Sequence, residues 1–188
     1  MLDRADRRSG VEVAALRSVQ RLAGDREGTV VRAARGLSLV GEHAAGWLAL
    51  GSLGAAADPA RRRRWLASTV AVAGAHAASI VVKRVVRRPR PHDPRVVVHV
   101  GTPSRLSFPS SHATSTTTAA VLFGGLLARP GSTLGVALPV IGAMALSRLV
   151  LGVHYPTDVL AGSTLGAGCA LAARSAIRRG SIGRWRTA

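Results

Sequence analysis

Three short stretches place polar residues at the edges of long apolar runs, where a chain of this kind would otherwise avoid them. The first is Lys83-Arg-Val-Val-Arg-Arg-Pro-Arg90-Pro91, the second Phe108-Pro109-Ser110-Ser111-His112, and the third Ser147-Arg148 followed by His154-Tyr-Pro-Thr-Asp158. Lys83, Arg90 and Arg148 have few acids near them in sequence, only Asp93 and Asp158. Cations gathered at low dielectric repel one another unless an anion joins them, and phosphate suits that role.

The spacing from His154 to Asp158 is one helical turn. A carboxylate there can accept the Nδ1 proton of the imidazole and leave Nε2 free as a nucleophile. His112 arrives on a different segment and can give a proton to a leaving alkoxide. Pro109 suits the first position of a helix, which would aim the amides of Ser110, Ser111 and His112 at an anion, with the Ser110 hydroxyl as a further donor. Nucleophile, orienting acid, general acid and cationic cradle are the parts of metal-free phosphoryl transfer. No carboxylate cluster and no His/Cys group has metal-ligand spacing, so neither metal nor cofactor is expected. Arg87, Arg88 and Arg95 read as flanking charges that meet lipid headgroups.

The elements that must carry these groups are helices. The 188 residues are 47% hydrophobic but only 3% aromatic, with 21 Gly, a mix that lets helices approach closely inside a bilayer. Five apolar stretches, about 36–57, 65–86, 109–128, 133–150 and 158–177, are each near the ~20 residues needed to cross one. The expected fold is an all-α, multi-spanning membrane bundle of about five transmembrane helices plus an N-terminal amphipathic helix. Its divisions are a basic segment 1–35, a membrane domain 36–177 and a basic tail 178–188. In the first segment Val11, Val13, Leu16, Val19 and Leu22 recur at helical spacing, either at the membrane surface or against the bundle. That segment is too charged for a cleavable leader. Residues 87–108 form a long loop rich in Arg, Pro and His, of the length that usually carries function. With five spans, this loop, residues 151–157 and the N-terminus share one side, so the three motifs can converge.

A net charge of +17 invites a nucleic-acid reading, but the arginines cluster at span edges, as in membrane proteins. The single Cys169 allows no internal disulfide.

Taken together, Lys83-x6-Arg90-Pro91, Pro109-Ser-Ser-His112 and Ser147-Arg148-x5-His154-x3-Asp158 resemble the three-part signature of the type-2 phosphatidic acid phosphatase superfamily. That resemblance implies His154 as nucleophile, Asp158 as its orienter and His112 as general acid, with Lys83, Arg90, Ser110, Ser111 and Arg148 binding phosphate. Ser111 stands where the family usually has Gly. Residues 34–48, 102–117 and 151–158 further resemble an actinobacterial branch of the superfamily. It removes the ribose 5-phosphate from a polyprenyl-phosphate sugar on the route to cell-wall arabinan. The partner implied is a lipid-linked phosphate within a bacterial plasma membrane. Phosphatidate or a polyprenyl pyrophosphate is the alternative substrate, and a non-enzymatic anionic-lipid binder the alternative class. Glu42 and His43, ionisable and inside the first span, read either as contacts to sugar hydroxyls, as a partner for a pocket arginine, or as a pair fixing helix packing. The four-Arg turn at 61–64 and the basic tail favour the cytoplasm and so an extracytoplasmic pocket, while the basic N-terminus pulls the other way.

Overall fold

A computed structural model describes residues 4–24, 28–129 and 131–179. Seven α-helices follow in order: α1 (Arg4–Ala23), α2 (Thr29–Gly41), α3 (Ala45–Ala57), α4 (Arg62–Val86), α5 (Ser111–Leu127), α6 (Thr133–Val150) and α7 (Pro156–Arg178). No strand occurs among the described residues, and the fold is all-α. Most of the basic tail lies outside the described residues.

α5 runs through the centre, flanked by α4, α6 and α7. Residues Ala113 to Ala120 are buried without interruption, although five of them are Ser or Thr. Three of their hydroxyls are satisfied within the helix, Thr114 donating to the Ser110 carbonyl at 3.0 Å, Ser115 to that of Ser111 at 3.0 Å and Thr118 to that of Thr114 at 2.9 Å. The Thr116 hydroxyl accepts from Trp47 Nε1 at 3.0 Å, and that of Thr117 has no partner among the described residues. Thr118 also reaches the Gly166 carbonyl of α7 at 3.0 Å. α7 comes this close because it has no side chain at two positions one turn apart. A Cβ on Gly162 would sit 2.5 Å from the Ser110 carbonyl oxygen, and one on Gly166 2.4 Å from that of Thr114. Ser and Thr thus share the interior with apolar side chains such as Trp65, Val72 and Phe123, while Leu53, Val70, Leu138, Leu160 and Leu171 face outward. Two helical stretches, Pro59–Val86 and Thr133–Val150, are long and apolar enough to cross a membrane.

The apolar stretch 36–57 is not one helix. The chain breaks at Glu42–Ala44, where His43 and Ala44 take left-handed φ values of 49° and 60°. Two glycines flank the break. A Cβ on Gly41 would lie 2.6 Å from the His112 ring, and one on Gly46 2.6 Å from the Val40 carbonyl oxygen. α2 therefore starts earlier than expected and crosses residue 35, while α3 has 13 residues, only ~20 Å of helix.

α1 packs on the end of the bundle. Val13 and Leu16 are buried with Val96 and Tyr155, whereas Val11 and Leu22 remain exposed. Gln20 ties two loops together, donating to the carbonyls of Val97 at 2.6 Å and Val150 at 3.1 Å.

Candidate active site

The ends of α4, α5, α6 and α7 meet under the 87–110 loop. α4 stops at Arg87, which takes a left-handed φ of 56°, and prolines at 89 and 91 prevent the helix from resuming. The loop doubles back on itself: the Ser107 amide donates to the Arg88 carbonyl at 2.8 Å and the Arg90 amide to that of Arg105 at 3.2 Å. Lys83 locks this return, because its ammonium donates to the carbonyls of Leu106, Ser107 and Pro109 at 3.2, 3.2 and 2.9 Å. Beyond α6, Gly152 turns with φ 70° against the Val97 carbonyl, presenting His154 just before α7.

His154 is buried, and its two ring nitrogens have different surroundings. Nε2 is 3.3 Å from Arg90 Nη1. Nδ1 is 3.6 Å from Asp158 Oδ2, within ion-pair range but longer than a hydrogen bond, and has no other partner. Burial pushes the imidazole down to about 4; Asp158 pulls the other way, and Arg90 acts in the same direction as burial. At neutral pH the ring is uncharged with a lone pair available. Burial also lowers Arg90, to about 10 against the pull of Asp158, so it stays cationic. Arg90 is fixed by two backbone carbonyls, Ser104 and Val153, both at 2.7 Å.

Asp158 is fully buried. Its Oδ2 accepts the Tyr155 amide at 2.8 Å, forming the cap of α7, and its Oδ1 accepts Arg88 Nη1 at 2.9 Å. Arg88 is thus no lipid-facing flanking charge. It bridges Asp158 to Glu12 of α1, lies 4.2 Å over the Tyr155 ring, and although burial works against its charge, Glu12 and Asp158 hold it above the usual guanidinium range. Arg95 likewise pairs with Asp93, at 2.8 Å.

The helix start differs from expectation. α5 begins at Ser111 with Ser110 as its cap, so Pro109 precedes the helix, joined to Phe108 by a cis bond. Ser110 is wholly buried, with its amide on the Asp158 carbonyl at 2.9 Å and its hydroxyl accepting the Ala113 amide at 3.4 Å. It joins α5 to α7 and lies away from the cavity walls. Ser111 and His112 do line the cavity. The Ser111 hydroxyl meets that of Ser79 at 2.8 Å, and His112 Nε2 sits 3.1 Å from the Ser38 carbonyl oxygen.

The cavity, about 670 Å³, brings together Lys83, Arg90, Arg148 and His154 with Ser111 and His112. Arg148 is buried, and both its described hydrogen bonds go to the Ser147 hydroxyl at 3.1 Å. Glu42 and His43 line the same space from the break after α2, and Arg35 and Arg84 add two more cations. Against five basic side chains, Glu42 is the single acid among the described lining residues. Motif spacing does not single out His76, which faces His43 with ring centroids 6.4 Å apart, or Glu12, the partner of Arg88. An isolated His at the middle of an apolar run, as His76 is, was the available signal. No group of three or more His, Cys, Asp or Glu among the described residues is placed to hold a metal.

Residues 64–180 match the PAP2 superfamily. The chain is 57% identical over 153 residues to the decaprenylphosphoryl-5-phosphoribose phosphatase of Mycolicibacterium smegmatis, covering 80% of this chain and 81% of that protein. It is 51% identical over 165 residues to the protein of the same name from Mycobacterium tuberculosis, covering 87% and 89%. Among solved structures it is similar to a transmembrane PAP2-type phosphatidylglycerolphosphate phosphatase from Bacillus subtilis, with TM-score 0.71 and 21% identity over 92% of this chain and 88% of that one. It is also similar to LpxE of Aquifex aeolicus, with TM-score 0.67 and 15% identity over 87% and 94%.

Proposed function

The chain belongs to the PAP2 superfamily, and from that premise we propose that it is a membrane lipid phosphatase whose substrate is a prenylphosphoryl-ribose 5-phosphate. The observation that carries the reading is His154 Nε2, 3.3 Å from the Arg90 guanidinium, on the wall of a cavity with five basic residues and one acid. The two mycobacterial relatives, named for a sugar-phosphate substrate, support the choice of leaving group.

In this mechanism the terminal phosphate enters between Arg90 and Arg148, with the amides of Ser111 and His112 at the start of α5 and the Ser111 hydroxyl as further donors. Lys83 contributes positive potential and holds the loop rather than reaching out, since its three N–H groups are engaged. His154 Nε2 attacks phosphorus as the bond to the ribose oxygen breaks. The departing alkoxide takes a proton from His112. With Nε2 of His112 donating to Ser38, the transferable proton is one that Nδ1 takes up as the anionic phosphate enters and offsets the surrounding cations. Asp158 then stabilises the positive charge on the phosphorylated His154 ring. Water attacks the phosphohistidine, gives its proton to His112, and inorganic phosphate leaves. The phosphodiester to the prenyl chain has two non-bridging oxygens and bulk on both sides, so it suits the cradle poorly. Glu42 and His43 lie where they can meet the sugar. An extracytoplasmic site in a bacterial plasma membrane is part of this proposal, and it is supported by the Arg61–Arg64 turn at the opposite end of the bundle, bonded through Arg61 to the Leu126 carbonyl, since basic turns favour the cytoplasm.

A panel of prenylphosphoryl-ribose 5-phosphate, prenyl pyrophosphate and phosphatidate, assayed in EDTA, tests the reading. Phosphate should be released fastest from the first, leaving prenylphosphoryl-ribose intact. Faster cleavage of prenyl pyrophosphate would move the assignment to that substrate, and activity restored only by Mg²⁺ would remove the mechanism.

A further inference from the structure

Asp158 is tied on its far side to a helix that none of the three motifs includes. Arg88 Nη1 donates to Asp158 Oδ1 at 2.9 Å and to the Thr157 hydroxyl at 2.7 Å, and Nη2 donates to Glu12 Oε2. Thr157 closes the ring, its hydroxyl bonding Glu12 Oε1 and its amide reaching the same oxygen at 3.3 Å. Side-chain exposure is 26% for Arg88, 12% for Glu12 and 0% for Asp158, so little water screens these charges. None of Glu12, Arg88 or Thr157 lines the cavity.

We propose that Arg88 and Glu12 are positioning residues that complete a chain of alternating charge from α1 to His154, setting how strongly Asp158 draws a proton onto the nucleophile. The proposal rests on the reading of His154 as nucleophile. Arg88 offsets part of the Asp158 charge, and Glu12 offsets part of that of Arg88. The second arm makes the setting depend on α1 being docked. Other charges face the same groups: Arg90, Lys83 and His112 act on His154, and Asp93 lies near Tyr155 beside Arg88. These are unchanged by substitution at 12 or 88, so they drop out of a comparison between variants.

The signs are opposite for the two residues. Arg88→Met leaves Asp158 uncompensated, so His154 holds a proton more tightly and its titration moves to higher pH. Glu12→Gln frees the full Arg88 charge to act on Asp158, and the titration moves to lower pH. A merely structural role predicts something else. Loosening this buried ring admits water, and both variants then drift upward toward the ordinary histidine value of about 6.5.

The test is a ¹⁵N-histidine NMR titration of the full chain in phospholipid nanodiscs, with His154 assigned by its absence in His154→Ala, alongside pH profiles of kcat/KM. The expected shifts are upward by on the order of one pH unit for Arg88→Met and downward by less for Glu12→Gln. Arg88→Lys keeps the charge but not the planar fork, so its titration should stay within a few tenths of a unit of wild type while kcat falls. Shifts in the same direction for Arg88→Met and Glu12→Gln, or no shift in either, overturn the proposal. If His154→Ala still turns over, the nucleophile reading itself is what fails.

Discussion

His112 shows how much a single residue can depend on a distant backbone. Its Nε2 is 3.1 Å from the Ser38 carbonyl of α2, and its ring fits only because residue 41 has no side chain. If it supplies the leaving-group proton, its importance scales with the basicity of that group. His112→Ala should slow release from a sugar 5-phosphate by about 10²–10⁴-fold and from an aryl phosphate far less. Steady-state rates on the two substrates decide it, and equal losses on both would leave His112 a structural residue. The motif residues themselves were legible, because His154 and Asp158 are one turn apart and the family signature fixes the rest. Their partners were not. Three arginines, at 87, 88 and 90, sit on one proline-punctuated loop, and nothing in their order says which one turns inward. The left-handed turn at Arg87 decides that, sending Arg88 to Asp158 and Arg90 to His154. Lys83 and Ser110 have the chemistry of phosphate donors, but their hydrogen-bonding groups are largely occupied by the loop and by the α5 cap.

At the scale of elements, length and apolarity identified α4 to α7 within a few residues, since each is a long run with a charged or proline-marked end. The break at Glu42–Ala44 carries no proline, so the apolar pattern runs through it without a stop. Only the glycines at 41 and 46 hinted at it, and their meaning depends on what packs against them. The same dependence governs the seam between α5 and α7. Gly162 touches the Ser110 carbonyl, and Ser110 in turn holds the Asp158 carbonyl. Gly162→Val should push α5 from α7, costing about 1–3 kcal/mol and most of the activity by moving Asp158 relative to His112. Gly168→Val, at a site with nothing within 4 Å, is the matched control on the same helix. Thermal unfolding midpoints and turnover measured together should drop for the first and hold for the second. Equal behaviour would mean that the seam is not close-packed.

Across the whole molecule, apolar side chains face outward as well as inward, and the cavity's basic side chains gather at one end. Hydroxyls line the interior of α5, leucines and valines face outward, and basic side chains gather in one cavity at the end where α1 docks. A basic cavity therefore opens beside an apolar surface, the combination that a lipid-linked monoester would require. The central claim is that the phosphoryl group passes through His154. It is tested most directly by trapping the enzyme during turnover of substrate ³²P-labelled at the 5-phosphate. The quench is alkaline, because a phosphohistidine bond survives base and is lost in acid, and the peptides are then mapped. The account predicts label on the peptide containing His154 and none in His154→Ala. Label on His112 instead, or undiminished turnover by His154→Ala, would contradict it.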